Sequence, residues 1–158
     1  MQYTFNRNKK INSTFIKEDY FPAIVEFSSE ELNNHFIELN FSDTDMFELS
    51  VSPATKELKR FTLTLCNHFI IEDKSLSLPT YEVGSFAIDG PDKTECSAFS
   101  VKVFNDGLMI ETSHDVTSKH LRSGHLIFGL SSSDEVTTVY IADLTSDEIA
   151  HVKSELNA

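Results

Sequence analysis

The stretch FELSVSPATKELKRFTLTLC, residues 47–66, decides the fold class. Phe47, Leu49 and Val51 point to one side of an extended chain, and Phe61, Leu63 and Leu65 repeat the arrangement after the break. Alternation with period two is the signature of strands that bury one face and wet the other. Between the runs, SPATKELK puts Pro53 where a turn suits it, so the two runs are expected to pair as a hairpin.

Working outward, AFSVKVF (98–104) and LMIETS (108–113) flank NDG, where Asp106 and Gly107 are expected to supply the positive φ angles of a tight turn. Further strands are expected at residues 23–27, 36–41, 85–89, 125–131 and 136–142, most of them antiparallel. DLTSDEIAHVKSEL, residues 143–156, sets Thr145 three positions before Glu148 as a capping box, then Ile149, Val152 and Leu156 at helical spacing. A second, short helix is expected at SSEELNNHF, capped by Ser28 and Glu31 and bearing Leu32 and Phe36. The expected fold is therefore α+β and mainly antiparallel β: a single strand-rich domain over residues 1–158, with the C-terminal amphipathic helix packed on the sheet.

A chain of 158 residues fits one domain and can bury roughly 70% of its unfolded surface. Thirteen phenylalanines supply much of the apolar drive. Cys66 and Cys96 do not make a disulfide framework and are expected to stay reduced. There is no signal-peptide pattern behind the basic residues near the N-terminus and no apolar run of membrane-spanning length, so a cytoplasmic protein is expected.

Charge narrows the partners. The 13 Lys and Arg oppose 25 Asp and Glu, a net of -12, and the bases Arg7, Lys9 and Lys10 precede every acid. Residues 11–158 thus hold 10 bases against 25 acids. Such a surface repels nucleic-acid phosphates and anionic lipid, and it suits a cationic protein. Solubility alone also benefits from net charge.

The candidate chemistry is sparse. Asp43-x-Asp45 has the spacing by which paired carboxylates can hold magnesium or manganese, but no Gly-rich phosphate loop accompanies it. DGPDKTE, residues 89–95, offers Asp89, Asp92 and Glu95 without the spacing or flanking helices of an EF-hand, and reads as a turn between strands. Cys66-x-His68 puts a thiolate and an imidazole on one strand face, two ligands where structural zinc needs four. SHDVTSKHLRSGH, residues 113–125, gathers His114, His120 and His125 with Ser113 and Asp115, the residue types of a nucleophilic triad without a G-x-S-x-G elbow. That segment reads as a polar connection between strands, and its enzymatic alternative is a small-ligand or metal-dependent site. No cofactor and no metal site are expected.

With FELSVSPATKELKRFTLTL, VKVFNDGLMI and GHLIFGLSSSDEVTTVYIADLT in a small acidic chain closed by an amphipathic helix, the layout resembles the immunity proteins of bacterial contact-dependent growth inhibition and related polymorphic toxin systems. The resemblance implies an antitoxin that binds the C-terminal toxin domain of its own delivery protein, usually a nuclease acting on RNA, and occludes its basic cleft. No shared binding set can be carried over by position. The physical case rests on acids at expected turns and strand ends: Asp43, Asp45, Glu48, Glu72, Asp73, Asp89, Asp92, Glu95, Asp134 and Glu135 are the residues expected to face a cationic partner. Charge would set speed and orientation, and buried aromatic anchors most of the affinity.

Overall fold

The computed structural model describes residues 1–27 and 34–157. Among them the chain forms, in order, β1 Gln2–Asn6, β2 Thr14–Glu18, β3 Phe21–Glu26, β4 His35–Phe41, β5 Asp45–Val51, β6 Leu58–Leu65, β7 Phe69–Ile71, β8 Glu82–Val83, β9 Ser85–Asp89, β10 Lys93–Glu95, β11 Ser100–Val103, β12 Leu108–Glu111, β13 Lys119–Ser123, β14 Leu126–Leu130, β15 Val136–Ile141 and α1 Ser146–Leu156. Six strands form one sheet in the order β10-β4-β5-β6-β3-β2, seven form a second in the order β7-β11-β12-β15-β14-β13-β8, and β1 pairs with β9. The long ladders are antiparallel; the short edge strands β7, β8 and β10 join in parallel.

The hairpin read from residues 47–66 is β5 against β6, with Phe47 opposite Leu63 and Leu49 opposite Phe61. Their inward rows meet the inward rows of the other large sheet. Phe47 and Phe61 lie 5.1 Å apart by ring centroid, and Phe47 reaches Phe99 at 6.1 Å. Phe86 stands edge-on to Phe128 at 4.8 Å. One apolar core thus joins both large sheets, and Ile149, Val152 and Leu156 of α1 belong to it. The helix opens with the expected capping box: Glu148 N–H donates to the Thr145 hydroxyl, and Thr145 N–H to the Glu148 carboxylate.

A second apolar cluster lies elsewhere. Residues 72–81 connect β7 at one edge of the seven-stranded sheet to β8 at the other, and Leu76 and Tyr81 pack with Met109 against Ile127, Tyr140 and Ala142. This strap is pinned by Leu76 N–H donating to Asp106 Oδ1 at 2.8 Å and by Asn105 N–H donating to Lys74 O at 2.9 Å. The Arg122 guanidinium sits 5.1 Å from the Tyr81 ring centroid, donates to the Tyr81 hydroxyl and pairs with Asp143.

Four expectations need correction. Asp106 and Gly107 do not have positive φ; β11 and β12 are joined by a loop in which Phe104 N–H donates to Gly107 O at 2.8 Å. The polar connection at 113–125 contains a strand, β13. Cys66 and His68 are not on one strand, because β6 stops at Leu65. In SSEELNNHF, residues 28–33 lie outside the described residues, while His35 and Phe36 open β4 rather than ending a helix.

Candidate functional site

The acids of residues 43–48 do not act as one knob. Phe41 and Asp45 close β4 against β5 through a turn in which Ser42 and Asp43 have φ of 51° and 58°, so Asp43 sits exposed at the tip. Asp45 is turned inward, 0% exposed, which corrects its expected partner-facing role. Its carboxylate accepts from Asn67 N–H at 2.6 Å, His68 N–H at 3.3 Å, His68 Nδ1 at 2.7 Å and Thr44 Oγ1 at 2.9 Å. Burial pulls the Asp45 pKa upward, but the Asn67, His68 and Thr44 hydrogen bonds and the imidazole charge together hold it below the ordinary value. Glu48 is half-buried on β5, directly across from Glu38 of β4. Phe47 is wholly in the core, and Phe41 is half-buried with its ring edge-on to His68.

Four other acids do converge. Asp89 at the end of β9 and Asp134 in the turn between β14 and β15 line an open cleft of about 510 Å³, with Gln2, Tyr3, Thr55 and Lys56 among its walls. Glu95 of β10 and Glu135 line a neighbouring cleft of about 160 Å³, and Met1 borders both. Asp134 reaches its place because its φ of 63° closes the turn in which Ser131 N–H donates to Glu135 O. It is also compensated: Lys119 Nζ approaches at 3.0 Å and the Tyr3 hydroxyl donates at 3.1 Å, which together hold its pKa down. Among the described residues, the carboxylates of Asp89, Glu95 and Glu135 have no hydrogen-bonded or ionic partner within the chain. Met1, Tyr3 and Asp134 of the first cleft also border a mainly apolar slot of only about 20 Å³, closed by core residues such as Phe86 and Phe128. Three carboxylates without partners on two adjoining open clefts suit cationic groups presented by a partner's surface.

The remaining predicted acids lie apart. Asp92 is exposed and accepts from His35 Nε2 at 2.7 Å. Glu72 is half-buried and Asp73 exposed just after β7.

The histidines of residues 113–125 do not assemble. His114 is exposed, His120 stands edge-on to Tyr140 at 5.9 Å, and the Nδ1 of His125 is 2.5 Å from the Ser13 hydroxyl, which also accepts from His125 N–H. Burial lowers the pKa of His120 and of His125. Ser113 Oγ accepts from Asp115 N–H in a local turn. Burial, then the nearby Asp45 charge, push the Cys66 thiol up to about 12, and burial pushes Cys96 to about 11, so neither offers a thiolate at neutral pH. Among the described residues, no three His, Cys, Asp or Glu side chains are grouped to hold a metal ion. No helix is long and apolar enough to cross a membrane.

Sequence reasoning missed the Tyr3, Lys119 and Asp134 network, the Arg122 clasp on the strap, and the Ser13 to His125 contact. Each joins residues far apart in the chain with no motif between them, so no local signal marks them. A scan against protein-family models and a search of curated proteins each found no match to this chain.

Proposed function

We propose that the protein is a binding inhibitor of a cationic protein partner, in the manner that the resemblance to immunity proteins implies: a cytoplasmic antitoxin that occludes the basic cleft of a cognate nuclease domain. The observation that carries the reading is the convergence of Asp89, Glu95 and Glu135 on two clefts that share Met1. A nuclease cleft is cationic because it grips phosphates, and acids held on a rigid frame can take the phosphates' place without being cleaved. The frame is rigid here: Asp89 ends a strand paired along its length with β1, and Glu135 borders a hydrogen-bonded turn. Tyr3 and Met1 offer the apolar area from which such an interface draws affinity, while the rim charge sets the encounter rate. Asp134, neutralised by Lys119, acts as a support for Tyr3 rather than as a contact.

The test is the association rate constant with the C-terminal domain encoded by the gene immediately upstream. A variant combining Asp89→Asn, Glu95→Gln and Glu135→Gln is expected to associate about tenfold more slowly at low ionic strength, the difference closing near about 0.5 M salt. Equal rates at low salt would place the contact elsewhere on the surface.

A further inference from the structure

The two large sheets have four edges, and three are guarded against pairing. The β2 edge carries Lys17 and Glu18 and a register shift between Ile16 and Glu18. The β10 edge carries Lys93 and Glu95, and β8 is two residues long with Glu82 held by Arg7. Charges, bulges and shortness of these kinds keep sheet edges from joining other chains. The β7 edge is also short, three residues, but it carries neither a charge of its own nor a register shift. Its sequence is Phe69, Ile70, Ile71, with Ile70 56% and Ile71 43% exposed, and Leu65 just before it is 45% exposed.

The outward hydrogen-bonding groups can be assigned from the inward ones. Val101 N–H donates to His68 O, and Glu72 N–H donates to Val103 O, so His68 and Glu72 turn those groups toward β11. Backbone direction alternates along a strand, so Ile70 also faces β11, whereas the N–H and C=O of Phe69 and Ile71 point away from the sheet.

We propose that β7 is a self-pairing edge: two copies of this chain join antiparallel about a two-fold axis through Ile70, so that their seven-stranded sheets become continuous. In that register Phe69 faces Ile71 of the other copy, and Ile71 faces its Phe69. These are the residues with outward groups, and they form two hydrogen-bonded pairs. Ile70 meets Ile70 at the close, non-hydrogen-bonded position. The flanks are compatible as well. Glu72 falls opposite His68 and Asp73 opposite Asn67, so no acid meets an acid. Lys74 falls opposite Cys66, and Lys102, the neighbour of Ile70 on β11, stays beside its own copy's strand. The opposing force is long-range repulsion between two chains of net charge -12. It is screened by salt, so this dimer should strengthen as ionic strength rises, the reverse of what a cationic partner does.

Sedimentation equilibrium on the full chain tests this, at protein concentrations from about 10 µM to about 1 mM, the range in which so small an interface associates. Wild type should move from monomer toward dimer, and further in about 0.5 M salt than in about 0.05 M. Ile71→Pro removes an outward N–H that the ladder to β11 does not use, a position at which an edge strand tolerates proline. Ile70→Lys leaves the backbone intact and adds the charge that guards other edges. Both variants should keep the wild-type circular dichroism and remain monomeric throughout. As a second readout, exchange of the Phe69 and Ile71 amides should slow with rising wild-type concentration, while that of Ile70 stays constant. A wild type that is monomeric at every concentration, or a dimer that persists in both variants, would overturn the proposal. A monomer that gains protection at Phe69 and Ile71 only when the upstream-encoded domain is added would also overturn it, assigning the edge to that partner. The first two outcomes leave the acidic cleft untouched, since binding to that domain is measured separately; the third puts part of that domain's contact on β7, and the rate of the acid-neutralised variant then decides whether the cleft is a contact as well.

Discussion

Asp45 has no solvent contact, and its carboxylate accepts hydrogen bonds from three different residues, which ties the start of β5 to the connection between β6 and β7. That connection is where the chain passes from the six-stranded sheet to the seven-stranded one. Asp45 is therefore a structural clasp, although its residue type and its neighbours Asp43 and Glu48 are those of a charged surface. No local signal marks the difference, because three of the four donors belong to Asn67 and His68, 22 and 23 positions away, and the Cys66-x-His68 spacing points to a metal ligand pair rather than to Asp45. Asp43, two residues earlier, is legible as an exposed turn residue from local chemistry, since Asp tolerates positive φ and turn tips are exposed. Because the folded-state pKa of Asp45 is depressed, its contribution to stability is present above the ordinary aspartate range of ~4 and is lost as pH falls through the folded value. Asp45→Asn is expected to cost about 1–3 kcal/mol at pH 7 and to flatten the acid limb of stability against pH. Urea titrations from neutral to acid pH measure both; equal stability of the two proteins at pH 7 would remove the clasp.

At the scale of elements, legibility followed the length of the alternating run. β5 and β6 show apolar residues at period two, β14 and β15 are dense runs of apolar and β-branched residues, and α1 announces its start through Thr145 and Glu148. β7, β8 and β10 have two or three residues each and exist because a longer neighbour offers a ladder, while β13 shows one buried leucine in KHLRS. No period can be read from so few positions. The loop after β11 lies where NDG places it, but positive φ is not what shapes it. Gly107 has ordinary φ, and what demands glycine is space: a Cβ there would lie 2.6 Å from Ile141 O and 2.7 Å from Leu76 Cδ2, between β15 and the strap. Gly107→Ala is expected to destabilise the protein by about 1–3 kcal/mol, since backbone or strap must shift. Chemical denaturation measures it, and a variant as stable as wild type would show that the strap yields freely.

For the whole molecule, the sequence conveys the sign of the charge but not its arrangement. Ten acids were expected to face a partner; four of them, Asp89, Glu95, Asp134 and Glu135, border clefts that share Met1, while Asp43 and Asp73 lie on other turns and Asp45 is buried. Their convergence depends on β9, β10 and the turn before β15 ending near the same place, a consequence of sheet order that no run of residues encodes. The small apolar slot next to the first cleft is likewise assembled from both large sheets together with β1 and β9. Cationic partner and self-pairing edge then respond to salt in opposite directions, which makes ionic strength the natural variable. The most direct test is a calorimetric titration of the protein with the C-terminal domain encoded immediately upstream, at about 0.05 M and about 0.5 M salt, with the nuclease activity of that domain followed in parallel. The account predicts one-to-one binding per chain that weakens at high salt and extinguishes cleavage. No heat at either salt, or binding that leaves cleavage intact, would contradict it.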